Sequence, residues 1–115
     1  MKRKNFLLAL VIMLVGLSVL GYRLLDPHAS VEQRRLSTAA TNIDNAKLQR
    51  LQLRYAKAAA YFKTAADVLP KGGHEQERAE YLNSAGYDFQ RIARYADALS
   101  LFEESLKISR EIARL

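Results

Sequence analysis

The chain has 115 residues and no cysteine, which excludes a disulfide framework, a thiolate nucleophile and a thiolate metal site. One small domain fits this length, with part of the chain outside it. The formal charge is +6, but beyond residue 30 the 14 basic and 11 acidic side chains interleave with a slight basic excess, which is not a strong nucleic-acid footprint, and no nucleic-acid partner is expected.

The opening stretch, "MKRKNFLLALVIMLVGLSVLGYRLLD", begins with Lys2, Arg3 and Lys4 and then runs 17 residues, Phe6 to Tyr22, without a charge. As a helix this stretch reaches ~25 Å, and Leu24 and Leu25 bring it toward the ~30 Å hydrocarbon thickness if Arg23 snorkels. Residues 1–25 are therefore expected to enter lipid, either as a retained transmembrane anchor through residues 6–25 or as a signal sequence. Val19-Leu20-Gly21 and Pro27-His28-Ala29 are the two places where cleavage fits. The basic start favours a cytoplasmic amino end. The remainder is then expected on the periplasmic or extracellular side of a bacterial inner membrane, tethered by the anchor or released after cleavage.

Residues 26–30, "DPHAS", read as a breaker. From Val31 to Leu69 there is neither glycine nor proline, and Ala, Leu, Gln, Arg and Lys dominate, so the stretch can be helical throughout. Its apolar pattern is poor up to Leu48 and then sharpens through Leu51, Tyr55, Ala58, Phe62, Ala65 and Leu69. Pro70-Lys71-Gly72-Gly73 ends it, because proline lacks a donor and paired glycines favour a turn. A new helix is expected from His74 or Glu75, with Glu75, Glu77 and Glu80 at its positive end. Leu82, Ala85, Gly86, Phe89 and Ile92 form its apolar side. A reversal is expected near Arg91–Arg94, although no glycine or proline marks it; local pattern alone also permits one helix from 75 to 115.

The reason to expect the reversal is a repeat. In "YAKAAAYFKTAADVLP" and "YADALSLFEESLKI", Ala58, Phe62 and Ala65 return 40 residues later as Ala98, Phe102 and Ser105. The stretch "AEYLNSAGYDFQRIARYADALSLFEESLKI" resembles the tetratricopeptide repeat, in the long variety of about 40–42 residues found in kinesin light chains. Leu82, Ala85, Gly86 and Phe89 match its first helix, Tyr95 its turn tyrosine, and Ala98, Phe102 and Ser105 its second helix. Gly73-His74 resembles the linker of the long variety. The likeness is strongest over residues 55–70 and 73–108.

The resemblance implies antiparallel helical hairpins over residues 31–115, a first unit at about 39–72 and a second at about 75–108. The fold class expected is therefore all-α, a membrane helix followed by tetratricopeptide-like hairpins. Three features depart from the family. Asn42, Asn45 and Gln49 stand where it has apolar residues, leaving an offset register through Ile43 and Ala46. Alanine at 93 replaces its turn glycine, and Arg110 stands where its short variety often has proline.

In that family the first helices line a concave groove for an extended peptide or partner helix. The candidate partner-binding residues carried over are Glu80, Asn83, Ser84, Tyr87 and Arg91. Asn83 suits a ligand backbone, Tyr87 an apolar wall with a polar tip, and Arg91 a carboxylate. A solvated helix face produces the same spacing. Two approximate units fall short of the usual stack, and "SREIARL" ends with Ile108, Ile112 and Leu115 on one side. The alternative to a separate ligand is thus a homo-oligomer, or a small accessory subunit of a membrane complex. No catalytic constellation, cofactor site or metal site is expected. His28 and His74 lie 46 residues apart, and Gly72-Gly73 leads into no lysine-serine or lysine-threonine pair.

Overall fold

A computed structural model of the chain describes residues 30–115, and these are all-α. The helices are α1 (Val31–Leu51), α2 (Tyr55–Val68), α3 (Glu75–Arg91) and α4 (Tyr95–Ala113). Each packs against its neighbour in the chain. The anchor-or-signal segment expected over residues 1–25 lies outside the described residues, as does the breaker up to residue 29. Among the described residues no helix is long and apolar enough to cross a membrane. Helix α1 begins at Val31, as expected of a stretch in which nothing from Val31 onward interrupts a helix.

The unmarked reversal is present, and its backbone explains why glycine is not needed to see it. Ala93 has φ 61° and Leu53 has φ 60°, both left-handed. Around Ala93, the Arg94 N–H donates to the Phe89 carbonyl at 2.9 Å and the Ala93 N–H to that of Gln90 at 3.1 Å. Around Leu53, Arg54 donates to Gln49 at 2.9 Å and Leu53 to Arg50 at 3.0 Å. Both are the paired bonds that close a helix end with one left-handed residue, and they recur at the 40-residue spacing. A side chain in this conformation costs about 1 kcal/mol that glycine avoids. Ala93→Gly is accordingly expected to stabilise the fold by about 0.5–1 kcal/mol, read as a higher melting temperature by circular dichroism. An unchanged or lower melting point would show that the left-handed alanine carries no strain.

The interior is built largely from alanine: Ala46, Ala59, Ala66 and Ala85 are fully buried, so helix backbones approach closely. Phe62, Leu82 and Leu101 complete this cluster, which spans all four helices. Helix α3 is packed on two sides, by α2 and by α4. Helix α1 buries one stripe, Ala39 and Ala46, with Leu36 and Ile43 partly covered. That contrast accounts for the poor pattern in α1. At the 40-residue offset Asn42 and Asn45 correspond to Leu82 and Ala85, which face the preceding unit from α3, and both asparagines remain half-exposed. Ile43 and Ala46 keep the 40-residue columns of Asn83 and Gly86 and pack with the α2 side chains Phe62 and Ala65, so the offset register is not used. Gln49, at the register of Phe89, has its Oε1 buried with no hydrogen-bond partner among the described residues.

Candidate functional site

Three polar ties set the geometry around α3. Arg50 at the end of α1 holds buried Asp88 with both carboxylate oxygens engaged, Nε to Oδ1 at 2.8 Å and Nη2 to Oδ2 at 3.0 Å. Its Nη2 also donates to the Ser84 carbonyl at 3.4 Å, and its guanidinium lies over the Phe62 ring, 4.6 Å from the centroid. Arg78 donates to the carbonyls of Ala66, Leu69 and Pro70, which satisfies acceptors left unpaired at the end of α2. On the other side, the buried Ser105 hydroxyl donates to the Ala79 carbonyl at 2.7 Å and ties α4 to α3. His74 lies 3.7 Å from Glu32, and Arg50 reaches Asp88, so α1 and α3 run side by side in the same direction.

The five candidate residues do not form one cluster. Glu80 and Asn83 are exposed and line a shallow groove of about 330 Å³ between α3 and α4. Tyr87 is 55% exposed and meets the Phe102 ring edge-on, with centroids 5.2 Å apart. Ser84 is partly buried, its carbonyl occupied by Arg50. The Arg91 guanidinium sits over the Tyr55 ring at 5.4 Å, so it bridges to the first unit. The exposed ridge thus offers Glu80, Asn83 and Tyr87, while Ser84 and Arg91 lean toward the inter-unit seam.

The groove has a counterpart in the first unit. Gln76, Ala79, Asn83, Ser105 and Ser109 line it. Forty residues earlier stand Leu36, Ala39, Ile43, Ala65 and Leu69, an apolar cluster against which Tyr81 of α3 packs. Burial raises the Tyr81 phenol above its ordinary pKa, and Glu77 and Glu80 add to the rise. The same notch is therefore filled by an aromatic residue in the first unit. In the second unit it is open, with two amides and a hydroxyl replacing Leu36, Ile43 and Leu69. No known family, curated protein or solved structure matches the chain. Gln76 and Ser109 were not among the residues expected to bind. Their signal is visible only when positions are read in columns 40 apart.

Among the described residues no group of three or more His, Asp or Glu is placed to hold a metal ion. The amides of the groove supply both donors and acceptors, a set suited to a peptide backbone.

Proposed function

We propose that the chain is a non-catalytic interaction module, tetratricopeptide-like in its paired helices, that holds a peptide or helical protein partner beside a membrane. The observation that carries this reading is the polar notch. A position lined by Leu36, Ile43 and Leu69 in one unit is lined in the next by Gln76, Asn83 and Ser109. Asn83 offers a donor and an acceptor to a ligand backbone, and Tyr87 provides an apolar wall one turn along. The uncharged run from Phe6 to Tyr22 supports attachment to the inner membrane with residues 31–115 on its outer side, or release there after cleavage.

The test is affinity capture from detergent-solubilised membranes, comparing the wild-type chain with Asn83→Ala/Tyr87→Ala at matched helicity. A partner bound through the notch is expected to be recovered at about tenfold lower yield, since two lost contacts are worth about 1.4 kcal/mol or more. Equal recovery would remove the notch from the binding surface. Carbonate extraction of full-length chain fused to a carboxyl-terminal tag checks the membrane attachment independently.

A further inference from the structure

We infer that the outer stripe of α4 is a homodimer surface, on which a second copy of this chain lays its own α4 antiparallel. The observation is a contrast at the 40-residue offset. On α2, Ala59 and Ala66 are 0% exposed beneath α3, on either side of Phe62. On α4 the same places are Leu99, 58% exposed, and Leu106, 49% exposed, on either side of Phe102. Tyr95 extends the stripe by one turn and is also exposed. A face destined for water does not gain from exchanging alanine for leucine, and a run of large apolar groups at helical spacing marks a covered surface.

The covering element is not another helix of the α3 kind. Such a helix approaches α2 closely because Ala59 and Ala66 are small, and it seats Tyr81 in the apolar notch. Leucines hold a neighbour farther away, and the corresponding notch is polar. Head-to-tail stacking of copies also fails. The helix a second copy would present is α1, whose Thr41, Asn42 and Asn45 stand where α3 has Tyr81, Leu82 and Ala85.

A two-fold axis beside Phe102 suits the stripe's own sequence. It sets Leu99 opposite Leu106 of the second copy and Tyr95 opposite Arg110, an apolar match and a cation–π match, each made twice. A parallel arrangement would set Arg110 against Arg110, whereas Glu103, next to the axis, meets its own copy in either arrangement. The surface is small, so the association is expected to be weak, with a dissociation constant of about 10 µM.

The absence of native cysteine allows a direct test. Full-length chains carrying Leu99→Cys and Leu106→Cys, mixed in mild detergent and oxidised, are expected to give disulfide-linked dimer at several-fold higher yield than either variant alone. In parallel, Leu106→Glu is expected to weaken self-association by about tenfold in analytical ultracentrifugation with helicity unchanged. Mixed yield no greater than the single variants, preferential linkage of Leu99→Cys to itself, or a monomer at about 100 µM chain would each overturn the proposal. Both readouts keep Asn83 and Tyr87 intact, so failure of the dimer and failure of partner capture in the notch variant are seen separately.

Discussion

Arg50→Ala is expected to destabilise residues 30–115 by about 3 kcal/mol, more than any other single truncation at the polar ties. Asp88 is 0% exposed, and Arg50 supplies the side-chain donors that reach both of its carboxylate oxygens. Removing the guanidinium leaves a buried carboxylate without its counter-charge, a change that typically costs about 3–5 kcal/mol. The lower end applies because the Arg50 side chain is 38% exposed, which lets water reach the gap. Asp88→Ala is expected to cost less, since a half-exposed guanidinium can turn to solvent. Arg50→Lys should recover little, because an ammonium cannot span both oxygens or stack on the Phe62 ring. Urea unfolding of the three variants checks the order. Equal losses for Arg50→Ala and Asp88→Ala would show that the buried carboxylate is not the source of the cost.

Much of this architecture is legible along the chain wherever one residue's environment is local. Phe62, Leu82 and Ala98 lie on stripes of 3.6-residue period, and Pro70 with Gly72 and Gly73 punctuates the middle. The turns at Leu53 and Ala93 carry no such mark, since an alanine or leucine can hold a left-handed φ when the surrounding helix ends bond to one another. The 40-residue repeat exposes them instead. Helix α1 reads poorly because it needs only one apolar face, and Asn42 and Asn45 are tolerated on the other. Arg50 and Asp88 pair across 38 positions, a distance at which no helical spacing gives warning. Helical spacing alone places Glu80, Asn83, Ser84, Tyr87 and Arg91 on a single face. Arg50 and Tyr55 reach across from the first unit and draw Ser84 and Arg91 to the seam, leaving Glu80, Asn83 and Tyr87 outward.

Gly86→Ala should behave against ordinary helix propensity. In an exposed helix interior the change would stabilise by about 1 kcal/mol. Here the new Cβ would sit 2.5 Å from Phe102 Cε1 and 2.8 Å from Cδ1, so the ring must move or the helices must part. The expected outcome is a loss of about 1–3 kcal/mol, the usual cost of forcing a group into packed space. The first unit shows the alternative solution: Ala46 occupies the equivalent place and is fully buried opposite Phe62. Tyr87 meets the Phe102 ring edge-on, so a ring that swings away forfeits that contact as well. Pairing Gly86→Ala with Phe102→Leu should return part of the loss, giving a coupling energy of about 1 kcal/mol in a double-mutant cycle. A Gly86→Ala chain that melts higher than wild type would mean that the ring yields freely. In that case Phe102 would not be fixed in the α4 stripe, and a two-fold contact centred beside it would lose its anchor.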